Sequence, residues 1–360
     1  MTTTQQAKIR LGIIGAGNIG NVHMEVFSKI ADSVQLAGVT DVFAPLAESR
    51  AKQHNIDKVY ATADEMLADP GIDAVVIAVS NEWHAPIAVK ALQAGKHVML
   101  EKPMAINLEA AKTIVKAQRE SGKVLMIPHQ LRWESVAMQV KEQADKGSLG
   151  RIYHAKAGWV RRKGIPGWGT WFTQMSKSGG GPLIDLGVHM LDLSLYLMGN
   201  PKPVSVFGAA YAEFGPRKRG IGTWGKPDWN GVYDVEDFAT ALIRLDNGAT
   251  LTLDVSWAAL TDTDNQPYVH LLGSEGGASL RGSSGKLMSE QFDREATIEL
   301  SVPGQDEGSR VRMSRHFVEC IRNNSEPITS VMSGYTNNLI LDAIRRSSET
   351  GREVMLDWEL

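Results

Sequence analysis

The stretch that decides the fold runs from Ile9 to Gly20 and reads IRLGIIGAGNIG. Its largely apolar start is typical of a strand that is buried on both faces. The pattern Gly-x-Gly-x-x-Gly follows at once, with a glycine for a tight turn, one for close approach of a diphosphate, and one for packing of the next helix on the strand. The amides at the start of that helix would face the phosphates. We therefore expect a dinucleotide to be bound by Gly15, Gly17, Asn18, Ile19 and Gly20.

Asp41 ends the second predicted strand, about 20 residues after the glycines, where a carboxylate accepts hydrogen bonds from the adenosine ribose. A 2'-phosphate would be repelled there, so the residue favours NAD over NADP. Arg50 is the only nearby basic candidate for binding that phosphate, and it lies a helix away. The alternative interpretation of Asp41 is a helix cap.

The first part of the chain alternates short apolar runs with helical patterns, which predicts βαβ units and a parallel sheet. The clearest helix runs from Leu108 to Glu120, with Asn107 as N-cap and Gly122 as its stop. We therefore predict an α/β protein with an N-terminal Rossmann doubly wound parallel sheet. The predicted strands are 9–14, 34–40, 74–79, 97–100 and 124–127.

Beyond Gln130 longer β-like stretches dominate, which predicts a C-terminal α+β domain with a large, mainly antiparallel open sheet. We place the boundary so that residues 1–130 form an NAD-binding domain and 131–360 a substrate-binding and oligomerisation domain. The Gly-, Pro- and Trp-rich segment 214–234 predicts an ordered loop near a binding site. The predicted strands are 152–160, 204–211, 238–245, 249–257 and 268–272, and the predicted helices are 135–146, 182–198, 316–323 and 337–349.

Composition excludes several classes of function. The net charge is -3 and the longest basic tract is Arg161-Arg162-Lys163, so no nucleic-acid partner is expected. Cys320 is the only cysteine and no His-x-x-x-His pair occurs, which excludes an intrachain disulfide and disfavours a zinc site. The polar start and the lack of an apolar run of about 20 residues predict a cytoplasmic protein with no membrane partner.

A second group of residues suits catalysis. Glu101-Lys102-Pro103 follows a parallel strand at the carboxyl edge, where open α/β sheets bind their ligands. Asp185 and His189 are four residues apart on the predicted helix 182–198, so we expect both side chains on one helix face.

In this order, the motifs resemble those of the Gfo/Idh/MocA family of sugar oxidoreductases. The family includes glucose-fructose oxidoreductase, inositol dehydrogenase and a protein of rhizopine catabolism. The resemblance covers essentially the whole chain. It is carried by GAGNIG at 15–20, EKP at 101–103 and GGPLIDLGVH at 180–189.

The resemblance implies that Lys102 contacts both substrate and nicotinamide, often with a cis peptide to Pro103, while Asp185 and His189 face them across a cleft between the domains. It also places Asn81 and His84 near the cofactor ribose or nicotinamide, although a capping role for His84 remains open. Glu101 would touch the cofactor or fix its loop. His129 and Gln130 could also reach the cleft.

Oxidation of a secondary alcohol requires a base for the hydroxyl proton, and the ordinary pKa of histidine, about 6.5, suits that task. We assign His189 as base, Lys102 as a cation that lowers the pKa of the hydroxyl and can relay the proton, and Asp185 as substrate binder or orienting group. The choice of base between His189 and Lys102 stays open, as does a packing role for His189.

Aromatic and basic residues in segments that the family places around the cleft suggest a carbohydrate pocket, because sugars stack on aromatic rings and guanidinium groups bind hydroxyls or an acidic substituent. A packing role for the tryptophans, and a solvated loop for the basic residues, are the alternatives. The candidates are Arg132, Trp159, Arg161, Arg162, Lys163, Trp168, Trp171 and Trp224.

Three functions fit these residues. The first is an NAD-dependent dehydrogenase of a sugar, inositol or sugar derivative. The second is a glycoside hydrolase that keeps NAD bound and oxidises the sugar transiently. The third is a cofactor-binding sensor or regulator, which would have no need of Lys102 or His189. The family and an exposed sheet face also suggest a homodimer or homotetramer.

Overall fold

A computed structural model describes residues 7–262, 265–302, 304 and 306–360. Its first sheet has five parallel strands in the order β2-β1-β3-β4-β5, which confirms the predicted doubly wound sheet. The strands are β1 Ile9–Ile14, β2 Val34–Thr40, β3 Ala74–Ile77, β4 His97–Leu100 and β5 Leu125–Met126. The helices between them are α1 Asn18–Ser28, α2 Ala44–His54, α3 Ala63–Ala68, α4 His84–Gln93 and α5 Leu108–Ser121.

The turn between β1 and α1 requires its glycines. Gly15 has a φ of +99°, and a Cβ there would collide with the carbonyl of Ala78. A Cβ on Gly20 would strike the carbonyl of Gly15, so the helix could not approach the strand as closely. At Gly17 an added Cβ would meet no atom within 4 Å, because this side of the turn faces open space. Gly15 and Gly20 therefore take the predicted roles in the turn and in helix packing, and the approach of a diphosphate at Gly17 stays a prediction.

Helix α5 shows the predicted caps. The Asn107 side chain accepts a hydrogen bond from the Ala110 amide at 2.8 Å. At the other end Gly122 adopts a left-handed conformation with φ +62°. The helix ends at Ser121, one residue later than predicted.

The second sheet has nine strands in the order β13-β12-β11-β10-β6-β9-β8-β7-β14, in which only β6 and β9 pair in parallel among the described residues. This confirms the predicted mainly antiparallel sheet. The strands are β6 Ile152–Val160, β7 Pro203–Tyr211, β8 Phe238–Leu245, β9 Thr250–Ser256, β10 Tyr268–Gly273, β11 Gly276–Arg281, β12 Ser284–Gln291, β13 Arg294–Leu300 and β14 Val354–Met355.

In the described residues, five further α-helices follow the parallel sheet in the sequence. Helices α6, α8 and α10 cover one face of the second sheet, where Leu191 and Ile344 join the strand residues Leu253 and Val255 in a buried core. Phe207 on the other face is about half exposed. The helices are α6 Ser135–Asp145, α7 Met175–Ser178, α8 Val188–Leu197, α9 Ser309–Asn323 and α10 Val331–Thr350.

The sequence analysis missed β11 to β14. Strands β12 and β13 lie at the edge of the sheet and are largely exposed, so their sequences SGKLMSEQ and REATIEL lack a clear apolar alternation. Both C-terminal helices also begin earlier than predicted. The segments before the predicted starts, 309–315 and 331–336, mix Ser, Arg, Gly and Thr with apolar residues, so they show no clear apolar periodicity.

The chain returns at its C-terminal end to the first sheet. Met313 and Phe317 of α9 are buried in the core that contains β1 and α1. Tyr335 and Leu339 of α10 join the core beneath α4 and α5. In space the first sheet is therefore completed by residues far beyond 130, and the boundary at 130/131 stays a prediction. In the described residues, no helix is both long and apolar enough to span a bilayer.

We expect Phe317→Ala to lower the free energy of unfolding by about 3–5 kcal/mol, because it opens a cavity in the core of the first sheet. Phe292→Ala is the matched control, since that ring is 95% exposed and Phe317 only 1%. The control should change stability by less than about 0.5 kcal/mol in urea unfolding. Equal effects of the two substitutions would show that α9 is not part of this core.

Candidate active site

A cleft of about 1010 Å³ lies at the carboxyl edge of the parallel sheet and is closed on its other side by residues 171–189. It brings together residues that are far apart in the sequence. Gly20 lies beneath the cleft, where its lack of a side chain lets helix α1 pack closely on the end of β1. The predicted residues that line the cleft are Gly15, Gly17, Asn18, Ile19, Asp41, Asn81, His84, Glu101, Lys102, Gln130, Trp171, Asp185, His189 and Trp224.

The glycine turn fits the diphosphate of a dinucleotide. Helix α1 has Gly17 as its N-cap, and no side chain accepts from the amides of its first turn. Free amides and the positive end of the helix dipole face the open side of Gly17, which is an arrangement that binds phosphate.

Asp41 lines the same end of the cleft. Its Oδ2 accepts a hydrogen bond from the Ala16 amide at 2.7 Å, and its Oδ1 accepts one from the Phe43 amide at 2.8 Å. The carboxylate therefore also fixes the turn before α2, in partial agreement with a capping role. Arg50 instead contacts Gln53 and the carbonyl of Ala16, and it does not line the cleft.

Lys102 and Asp185 form an ion pair at the opposite end of the cleft. The Lys102 Nζ lies 3.1 Å from Asp185 Oδ1, while the indole of Trp257 donates to Asp185 Oδ2 at 3.0 Å. Burial alone would raise the pKa of Asp185, but the charges of Lys102 and Arg161 outweigh it and hold this pKa below its usual value. The peptide bond from Lys102 to Pro103 is cis.

His189 is the second residue of α8, which follows a π-helical turn at Leu183–Gly187. The predicted continuous helix is therefore wrong at this point, and Asp185 and His189 are not related by ordinary α-helical spacing. Both side chains nevertheless line the cleft. Burial, assisted by the positive charge of Lys102, holds the pKa of His189 well below 6.5, so the imidazole is neutral at neutral pH. Its Nδ1 is buried without a hydrogen-bond partner among the described residues.

Side chains on the wall next to Lys102 are fixed by hydrogen bonds. Glu101 lies 2.6 Å from Nε2 of His23, a residue on α1. Both ring nitrogens of His84 lie near backbone carbonyls, Nδ1 at 2.7 Å from Pro103 and Nε2 at 3.1 Å from Val79. Asn81 donates to the carbonyl of Ser178 at 2.8 Å and so joins the first sheet to the segment on the other side of the cleft.

Six of the predicted substrate residues do not line the cleft, and three of these are engaged elsewhere or face solvent. Arg132 forms a buried bidentate pair with Asp192, at 2.7 Å from Nε and 2.6 Å from Nη2, because its five donors suit a carboxylate that would otherwise be buried unpaired. Trp168 is buried, and its indole donates to the carbonyl of Gly215 at 2.7 Å. Arg162 is exposed. We therefore withdraw these three as substrate contacts.

The remaining candidates lie beside the cleft. The guanidinium of Arg161 is 4.7 Å from the ring of Trp159, and that ring is 6.4 Å from His189. Lys163 is exposed. His129 is buried behind this wall, 3.3 Å from the Asn337 side chain, and burial lowers its pKa to about 4.

The sequence analysis overlooked several residues at the site. Phe172 lines the cleft and packs between Trp171 and Trp224, with ring centroids 4.6 and 5.1 Å away. The carboxylate of Glu236 accepts from the amides of Gly181 and Leu183 and holds the start of the π-helical turn. The other overlooked residues are His23, Trp83, Trp257 and Arg310.

Fold and site together define a dinucleotide-binding oxidoreductase. The chain belongs to the Gfo/Idh/MocA family: residues 9–129 match its NAD-binding Rossmann domain, and residues 137–279 match its C-terminal domain. It is 32% identical to D-glucoside 3-dehydrogenase of Escherichia coli over 97% of both chains. It is 27% identical to scyllo-inositol 2-dehydrogenase (NAD(+)) of Bacillus subtilis, again over 97% of both.

Solved structures share the fold. Levoglucosan dehydrogenase in complex with NADH and levoglucosan superimposes with a TM-score of 0.88 at 23% identity, over 97% of this chain and 100% of that one. Among the residues that the structure describes, no group of three His, Cys, Asp or Glu side chains could hold a metal ion.

Arg132→Ala should lower the free energy of unfolding by about 3–5 kcal/mol, because it leaves the buried Asp192 carboxylate unpaired. Denaturant unfolding measures this loss, with the exposed Arg162→Ala as control. A variant of unchanged stability and raised KM would restore Arg132 to the substrate site.

Proposed function

We propose that the protein is an NAD-dependent dehydrogenase that moves hydride between a secondary hydroxyl of a sugar, inositol or sugar derivative and nicotinamide. The observation that carries the proposal is the Lys102 and Asp185 ion pair beside a neutral His189, at the opposite end of one cleft from the glycine turn. This arrangement provides a proton acceptor and a hydrogen-bond donor where a hydroxyl would meet the cofactor.

In the proposed reaction, His189 accepts the hydroxyl proton while Lys102 donates a hydrogen bond to the same oxygen. The ammonium of Lys102 is engaged by Asp185, so it has protons to donate and no lone pair to accept one. His189 is neutral and has that lone pair, which favours it as the base. A weakly basic imidazole suffices because Lys102 stabilises the developing alkoxide. NAD, when bound, supplies the hydride acceptor.

The walls of the cleft favour a carbohydrate. Trp171, Phe172 and Trp224 offer apolar faces to a sugar ring, and Asp185 can accept from a second hydroxyl. The relatives named above act on glucosides and inositols, which are cyclic polyols. These features support the substrate class and leave the particular sugar to experiment.

A screen of sugars, inositols and glycosides with NAD and separately with NADP tests the proposal. Reduced cofactor is followed by absorbance, together with release of aglycone from the glycosides. Net formation of NADH supports a dehydrogenase, whereas cleavage of glycosides without net NADH would overturn it in favour of redox-assisted hydrolysis. No turnover of any substrate, together with full biological activity of Lys102→Ala, would favour a sensor.

His189→Ala should reduce kcat by about 10²- to 10⁴-fold, which is the usual contribution of a general base. Binding of NADH, followed by fluorescence titration, should stay close to that of the wild type. His270→Ala is the control, because His270 lies in the second sheet away from the cleft. If Lys102→Ala loses its activity and His189→Ala keeps it, Lys102 is the base.

Asp41→Asn should reduce the preference for NAD over NADP by at least about tenfold, equivalent to about 1.4 kcal/mol, since it removes a charge that repels the 2'-phosphate. Asparagine keeps an oxygen for one of the two amides, that of Ala16 or that of Phe43, and removes the charge. The ratio of kcat/KM for the two cofactors measures the effect, with the exposed Asp57→Asn as control. An unchanged ratio would leave Asp41 with its role in the turn alone.

A further inference from the structure

Arg310 is a cation in the cleft that comes from the C-terminal part of the chain. It is the second residue of α9 and lines the same cleft as Lys102 and His189. Its guanidinium makes no hydrogen bond or ion pair with any residue in the described part of the chain. The catalytic scheme above does not use it.

The backbone on both sides of Arg310 is firmly held. Ser309 donates from its hydroxyl to Glu134 Oε1 at 2.7 Å, and Arg312 donates from Nε to the carbonyl of Trp133 at 3.0 Å. Ser309 and Arg312 are thus bound to the turn after β5, while the side chain of Arg310 between them lines the cleft. The backbone of Arg310 is therefore held beside the cleft before any ligand binds.

Arg310 acts at the reacting end of the cleft. Its positive charge contributes to lowering the pKa of both Glu101 and His189, two groups that flank Lys102. The turn after β5, to which its neighbours are tied, also lies at the opposite end of the parallel sheet from β2 and Asp41. The charge therefore lies close enough to the nicotinamide region for its field to be felt there.

The charges of the side chains at the reacting end of the cleft do not sum to zero. Lys102 is neutralised by Asp185, and Arg161 stacks on Trp159 nearby. Glu101 contributes one negative charge and is engaged by His23. Lys102, Arg161 and Arg310 carry three positive charges against the two negative charges of Asp185 and Glu101, and His189 is neutral, which leaves an excess of one positive charge among these groups.

Oxidised nicotinamide is a cation and reduced nicotinamide is neutral, so a fixed positive charge disfavours the oxidised ring. We propose that Arg310 biases bound cofactor toward its reduced form and so favours removal of hydride from the substrate. In that step the carbon–hydrogen bond of the alcohol breaks, the hydride with both electrons reduces NAD⁺ to NADH, and the hydroxyl proton passes to His189. This inference rests on the NAD dependence proposed above.

The test compares the dissociation constants of NAD⁺ and NADH for the full chain, measured by calorimetry without substrate. The ratio of Kd for NAD⁺ to Kd for NADH should fall about tenfold in Arg310→Gln, which keeps a polar side chain but loses the charge. Arg310→Lys should keep the wild-type ratio. Arg315→Gln is the matched control on the same helix, because Arg315 pairs with Glu307 and lies outside the cleft.

The outcomes separate this inference from the proposed function. An unchanged ratio in Arg310→Gln overturns the inference, and so does an equal loss of affinity for both cofactor forms, which would indicate an ordinary contact such as one to the diphosphate. A wild-type protein that binds neither form overturns the NAD dependence and the inference with it. Thermal unfolding of each variant checks that a changed ratio comes from a folded protein.

Discussion

The ion pair between Lys102 and Asp185 is the interaction on which the site depends, because it joins the two sheets across the cleft. Lys102 follows the fourth strand of the parallel sheet, while Asp185 belongs to the π-helical turn before α8. The 3.1 Å contact is only partly exposed, so its attraction is stronger than that of a surface pair. Burial keeps the imidazole of His189 neutral, and the positive charge of Lys102 in this pair adds to that effect.

The position of Asp185 in this pair depends in turn on two residues of the C-terminal part of the chain. Trp257 donates to the second oxygen of Asp185, and Glu236 holds the amides of Gly181 and Leu183 at the start of the turn. Burial raises the pKa of Glu236, since its carboxylate is removed from water and has only backbone donors to compensate. Because these supports are themselves buried, a substitution well away from the substrate can displace Asp185.

The sequence predicted the parts of the site that are encoded locally. The glycine turn, the cap of α5 and the residues Glu101 to Pro103 each follow from a few adjacent residues, so their geometry could be inferred. Arg132 was misplaced because its role is decided by Asp192, a partner 60 positions away. Arg310 gave no signal, since nothing in a single sequence shows that α9 returns to the first sheet.

The two ends of the cleft differ in how they would bind charged parts of the cofactor: one end uses backbone groups, and the other uses charged side chains. In the proposed function, the diphosphate is bound by backbone amides at the start of α1, which the glycines position without a charged side chain. The reacting end instead collects charged side chains from several distant segments, so its net charge can be changed without disturbing the glycine turn. Under the role proposed for Arg310, a substitution there alters the balance between the two cofactor forms while Lys102, Asp185 and the turn keep their contacts. Cofactor binding and cofactor redox balance are for this reason separable properties of the fold.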